Sequence, residues 1–110
     1  MKIVKVTYAA KEEFSAQNQK NIQTVMSDLH KSQYSGINYN CCLGADGRTF
    51  IHTAFFKSEE DHKLLNELPA FIHFQQELKS RGLESPPKQE QLTLVGSSVD
   101  MFADVTLMAR

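Results

Sequence analysis

Alternation and helical periodicity divide the chain into six main segments. Val4, Val6 and Tyr8 fall on one side of an alternating run from Lys2 to Tyr8, with Ile3, Lys5 and Thr7 on the other; a period of two marks a strand. The period then changes. Phe14 and Ser15 introduce a stretch reaching about Ser32 in which Ile22, Val25, Met26 and Leu29 recur at helical spacing, backed by Gln, Asn, Lys and Asp. This predicts an amphipathic helix with Ser15 as N-cap. Gly36 opens a second strand, Ile37 to Leu43, and the turn Ala45-Asp46-Gly47-Arg48 joins it to a third that ends at Phe56. Ser58, followed by Glu59, Glu60 and Asp61, caps a second helix with acids at its positive end. The expected buried stripe of that helix is Leu64, Leu65, Leu68, Phe71, Ile72 and Leu78. Pro69 falls inside the stripe and should kink or divide it; Gly82 after Lys79 and Arg81 suits a helix end. Gln89 to Gly96 reads as the last core strand. Beyond it, Val99 to Met108 alternate again, predicting an extra strand that pairs with a sheet edge of the same chain or of a partner.

The order β-α-β-β-α-β describes an α+β fold of the ferredoxin-like type, a four-stranded antiparallel sheet with both helices on one face. It accounts for residues 1–110 as a single domain, with 99–110 as an extra strand or dimer-capping tail. The helix-free face then needs cover, most simply from a second copy, giving a homodimer. Which residues occupy that face depends on the hairpin turn. A two-residue Asp46-Gly47 turn would put His52 among Tyr39 and Cys41. A three-residue Ala45-Asp46-Gly47 loop pairs Cys41 with Ile51 and Asn40 with His52. Segregation of polar from apolar side chains favours the second. Asn38, Asn40, Cys42, Phe50, His52, Ala54 and Phe56 then share the helix-free face, with Ile3 and either Leu94 or Val95.

Composition narrows the function classes. The chain has 110 residues, 41% apolar and 23% charged, with a formal net charge of −1, so no basic field recruits nucleic acid or an anionic membrane. No run approaches the roughly 18 apolar residues of a membrane span. The N-terminal run Met1 to Val6 lacks the apolar block of a signal peptide, and the chain reads as cytoplasmic. The two cysteines, Cys41 and Cys42, are adjacent; neighbours on a strand point to opposite faces, so they read as reduced thiols. No Cys/His spacing suggests a metal site.

Two such sheets packed face to face would enclose a ligand space. Asn38, Asn40 and His52 would point into it, with Thr7 and Lys5 nearby and Phe50 and Phe56 as apolar walls. An imidazole between two amides could act as a general base with donors for a developing oxyanion; the plainer reading is a hydrogen-bonded polar cluster in a dimer interface. His62 reads as a solvated residue of the first helical turn, His73 as partly buried beside the apolar stripe, and His30 as a partner for a helix C-terminus.

The element order and the run Thr53-Ala54-Phe55-Phe56-Lys57-Ser58-Glu59-Glu60, with Pro69-Ala70-Phe71 midway through helix two, resemble the dimeric α/β-barrel superfamily, in particular the antibiotic-biosynthesis-monooxygenase-like proteins. The resemblance spans residues 1 to about 96. It implies a small dimeric protein, a cofactor-independent monooxygenase or isomerase acting on a small aromatic or cyclic molecule, or else a non-catalytic ligand-binding or assembly module. Phe56 stands where many members have tryptophan, and Thr7 where haem-degrading members have asparagine. His73 precedes the position of their iron ligand, which falls nearer Gln75, so the resemblance does not carry haem or any other cofactor to this chain.

Overall fold

The computed structural model describes residues 1–102. In chain order it contains β1 (Lys2–Ala9), α1 (Ser15–Ser32), β2 (Ile37–Leu43), β3 (Thr49–Phe56), α2 (Glu59–Glu67), α3 (Pro69–Glu77) and β4 (Lys88–Leu92). A 3₁₀ turn, Glu12–Phe14, leads into α1, and a π turn, Leu78–Gly82, follows α3. All strand pairs are antiparallel and the sheet order is β2-β3-β1-β4, which is the expected ferredoxin-like α+β fold.

Local chemistry explains most boundaries. Ser58 is extended and its side chain accepts from the Asp61 N–H at the start of α2, satisfying one of the orphan donors of a helix start. Pro69 divides the second helical region: Leu68 is extended, and Pro69 restarts the helix at a position where no N–H is needed. Ser15 lies within α1 rather than capping it, and its hydroxyl donates to the Gly47 carbonyl at 2.6 Å. That bond ties the start of α1 to the central hairpin.

The hairpin register differs from the expected one by one residue. Cys41 stands opposite His52, Asn40 opposite Thr53 and Tyr39 opposite Ala54. The Asp46 carboxylate is the cause. One oxygen accepts from the Arg48 and Thr49 N–H groups at 3.0 and 2.9 Å, and the other accepts from the Thr49 hydroxyl at 2.5 Å. These bonds hold Arg48 inside the loop. The Gly44 N–H then donates to the Thr49 carbonyl at 2.7 Å and closes a loop of four residues, Ala45 to Arg48. Gly47 adopts φ 76° within it, a left-handed conformation that favours glycine.

A shift of one residue moves every side chain to the other face. Phe50, His52, Ala54 and Phe56 therefore point toward the helices, as do Val4, Val6 and Tyr8 of β1, and Phe50 and Phe56 are each 1% exposed. The expectation that Phe50, Ala54 and Phe56 cover the helix-free face is overturned. That face instead carries Ile3, Lys5 and Thr7 of β1, Asn38, Asn40 and Cys42 of β2, and Ile51, Thr53 and Phe55 of β3.

The helical layer completes the core with Phe14, Ile22, Val25, Leu65, Phe71 and Phe74. Leu64 and Ile72, expected in the stripe, are exposed: α2 turns Leu65 inward instead of Leu64, and beyond the break at Pro69 the inward positions of α3 are Phe71 and Phe74. β4 ends at Leu92, opposite Ile3, close to where β1 itself begins. Leu94 and Val95 lie beyond it and are exposed. Val99 to Phe102 form a bend and a turn with local hydrogen bonds to Ser97 and Asp100; the remainder of the expected tail strand, to Met108, lies outside the described residues.

Gly82 closes the helical layer against Phe14. A Cβ there would lie 2.4 Å from the Phe14 ring, itself 3% exposed, so the glycine is required by close packing. Gly82→Ala should destabilise the protein by about 1–3 kcal/mol through overpacking, read as a lower urea midpoint with unchanged m-value. An unchanged midpoint would mean that the contact relaxes freely.

Candidate active site between the helices and the sheet

The corrected register brings His52 under the helical layer, where it is 5% exposed and bonded on both ring nitrogens. The Tyr8 hydroxyl lies 2.8 Å from Nε2 and the Tyr39 hydroxyl 2.6 Å from Nδ1. Asn18, fully buried on α1, donates from Nδ2 to the Tyr8 oxygen at 2.9 Å. Four side chains from α1, β1, β3 and β2 thus form one chain of hydrogen bonds through the core. Buried polar groups are stable in apolar surroundings only when paired in this way.

The direction of the chain sets the tautomer. Since Asn18 donates to Tyr8, the Tyr8 O–H is free to donate to Nε2. The imidazole proton then sits on Nδ1 and is donated to Tyr39, whose own O–H remains for another acceptor. Asn18 Oδ1 is the buried side-chain atom left without a partner among the described residues. Exchanging its two amide positions reverses every bond in the series: Tyr39 donates to Nδ1, Nε2–H donates to Tyr8, and Tyr8 donates to Asn18. Tyr39 can therefore present either a donor or an acceptor with the series intact.

Burial sets the electrostatics. Desolvation holds the His52 pKa down at about 4, so the ring is neutral at neutral pH. Burial raises the Tyr8 phenol, an effect partly offset by the Asn18 hydrogen bond, and raises Tyr39 strongly. Burial likewise pushes the Cys41 thiol, opposite His52, up to about 12, far from a reactive thiolate.

A cavity of about 300 Å³ opens beside this series, between the sheet and the α2–α3 layer. Its aromatic wall comprises Tyr8, Tyr39, Phe56, Phe71 and Phe74 together with His52. The rings support one another: Phe74 and His52 have centroids 5.5 Å apart, Phe71 meets Tyr39 edge-on at 6.2 Å, and His62 stacks on Phe56 at 4.4 Å. Asn66, Gln75, Lys79 and Gln89 add polar groups. A more open cleft of about 480 Å³ lies where α1 ends, lined by Met26, Leu29, His30, Tyr34 and Ile37, and shares Tyr39 with the first.

The structure separates the residues that the sequence grouped. His52 and Phe56 line the cavity, whereas Phe50 is enclosed in the core beside Tyr8. Asn38, Asn40 and Thr7 lie on the opposite face of the sheet, and Asn40 donates to Asn38 rather than to His52. His73 is exposed beside Glu77, while Gln75 reaches the cavity. No group of three His, Cys, Asp or Glu among the described residues is arranged to hold a metal ion.

Sequence reading missed Tyr8, Tyr39 and Asn18 as partners of His52. A signal was present: Asn18 sits four residues before Ile22, on the apolar stripe of α1, where a polar residue calls for a buried partner.

No family model matches the chain, and no curated protein matches it. Solved structures do. A Nitrosomonas europaea protein provisionally named an antibiotic biosynthesis monooxygenase superposes with a TM-score of 0.74 at 12% identity, over 87% of this chain and all of its own. Rv0793 from Mycobacterium tuberculosis gives 0.71 at 11% identity, over 89% of this chain and 98% of its own. A protein of unknown function from Nitrosomonas europaea, NE2512, gives 0.69 at 18%, over 90% and 94%. The chain has the ferredoxin-like fold of the antibiotic-biosynthesis-monooxygenase proteins, and at these identities the likeness is one of fold.

The lowered His52 pKa has a definite sign in stability. The unfolded chain protonates its imidazole near 6.5 and the folded chain only near 4. The contribution is present in full above about pH 6.5 and is lost as pH falls toward 4, a total of about 3 kcal/mol. The difference in unfolding free energy between wild type and His52→Gln should therefore shrink across that window. A constant difference from pH 7.5 to 4 would contradict the buried, neutral imidazole.

Proposed function

We propose that this chain is a small homodimeric enzyme that oxygenates or isomerises a small aromatic or cyclic molecule without a bound cofactor. The observation that carries the reading is the aromatic-walled cavity reaching a neutral imidazole held between two tyrosine hydroxyls. A planar ring system suits such walls. Tyr39 would hold the oxygen of the substrate, and a neutral His52 would accept a proton through the series as an oxyanion forms, the anion in turn stabilising the imidazolium. For a fused-ring phenol such as 1-naphthol, one O₂ turns a ring C–H into C=O. One oxygen atom enters the ring and the other leaves as water with the two hydrogens lost, so no external reductant is needed. The names of the structural neighbours favour the oxygenase reading over the isomerase.

The proposed dimer uses the sheet face opposite the cavity, where the half-buried Ile51 and Phe55 are interspersed with Thr7, Asn38 and Asn40. No helix among the described residues covers it, and Asn38 and Asn40 would become interface amides. No helix among the described residues is long and apolar enough to cross a membrane.

The alternative is a non-catalytic binding module. It is favoured by the weakness of His52 as a base, its pKa being held at about 4 by burial.

Oxygen uptake separates the two readings. With 1-naphthol as probe, wild type should bind it and consume O₂, and His52→Gln should retain binding within about threefold while losing uptake at least tenfold. Binding without any uptake by wild type on a panel of fused-ring phenols would favour the binding module. Absence of binding would overturn the site. Light scattering at micromolar concentration should give a mass near twice 12.5 kDa, and a stable monomer would overturn the proposed dimer.

A further inference from the structure

The cavity wall is electrostatically one-sided. Among the described residues lining it, Lys79 supplies the only ammonium or guanidinium and none supplies a carboxylate. Lys79 enters from the π turn Leu78–Gly82, whose Leu83 N–H reaches back to the Leu78 carbonyl at 3.0 Å. Such widened turns occur frequently at functional sites. Close contact between Gly82 and the Phe14 ring fixes the end of this turn.

Lys79 also lacks the partner that its neighbours have. Glu77, the nearest acid in sequence, accepts from Asn21 at 3.1 Å and from two nitrogens of Arg81 at 3.0 and 2.8 Å. Arg48 pairs with Glu84, and Lys88 with Glu90. Lys79 itself is exposed and forms no ion pair among the described residues.

The sheet gives the cavity a length. His52 is opposite Val6, and Val6 is opposite Gln89 of β4, so Gln89 lies two strands from His52 in the same row. At the usual strand spacing that is about 10 Å. Both Gln89 and Lys79 line the cavity.

We propose that Lys79 is a specificity residue for an anionic substituent, so that the cavity takes a hydroxylated fused-ring carboxylate with its hydroxyl at Tyr39 and its carboxylate at Lys79. This rests on the small-molecule reading of the cavity given above. A cation with no acid in the surrounding wall attracts the ligand carboxylate without competition, and an exposed ammonium at the mouth meets it at little desolvation cost. A neutral fused-ring phenol fills the aromatic part of the cavity and leaves Lys79 solvated.

Titration calorimetry of the full chain with 2-naphthol and 6-hydroxy-2-naphthoate, whose hydroxyl and carboxylate stand at opposite ends of the ring system, tests this. Wild type should bind the carboxylate at least tenfold more tightly, with the preference narrowing as salt rises from 0.02 to about 0.5 M, as screening demands. Lys79→Gln should bring the two affinities within threefold while leaving that for 2-naphthol unchanged, and Lys79→Arg should keep the preference. Equal affinities in wild type, or an undiminished preference in Lys79→Gln, would overturn the role of Lys79 and leave the cavity reading standing. Failure of wild type to bind either compound would overturn both.

Discussion

The grip of Asp46 on the loop that follows it determines what lies inside this protein. By holding the N–H groups of Arg48 and Thr49 and the Thr49 hydroxyl, one carboxylate makes the hairpin loop four residues long. Those bonds keep the Asp46 pKa down at about 2. The loop is anchored from outside as well, through the Ser15 hydroxyl on the Gly47 carbonyl and the Ala10 N–H on the Arg48 carbonyl at 2.8 Å. Since strand side chains alternate, the loop length decides which face receives His52. Both hydrogen bonds of the His52 ring follow from that choice.

Placing a histidine among aromatic side chains is costly unless its nitrogens are satisfied. Two tyrosines and an asparagine from three other elements meet that need, and β1, β2 and α1 are thereby fixed against β3 by directional bonds as well as by packing. The same bonds make the site chemically adjustable. Its series of donors and acceptors runs in either direction, with Tyr39 at the end that reaches the cavity. A rigid aromatic pocket thus contains one hydrogen-bonding position that adapts to its ligand.

Much of the architecture was legible because it rests on short-range chemistry. The six main segments, the capping by Ser58 and the break at Pro69 follow from periodicity and from residues within a few positions of each boundary. The hairpin register was not legible from side-chain polarity. On polarity alone His52 counts as polar and Tyr39 and Cys41 as apolar, which favours segregating them. Polarity does not record that a tyrosine offers a hydroxyl to a buried ring. The same polarity pattern groups Asn38 and Asn40 with His52 and shows Tyr8 and Tyr39 only as apolar members of their strands, whereas the structure bonds both tyrosines to the ring. Phe56, by contrast, lines the cavity although it was assigned to the wrong face, because it shares the alternation of His52 along β3.

The central claim is that His52 lies between the sheet and the helices as a neutral ring bonded on both nitrogens. Nitrogen-15 NMR of the imidazole side chains, followed from pH 8 to pH 3.5, tests it most directly. The account predicts that His52 shows one protonated and one unprotonated nitrogen throughout the range in which exposed histidines titrate, and gains its second proton only near pH 4. A His52 that titrates near pH 6.5 with rapid exchange between tautomers would place the ring in solvent and contradict the account.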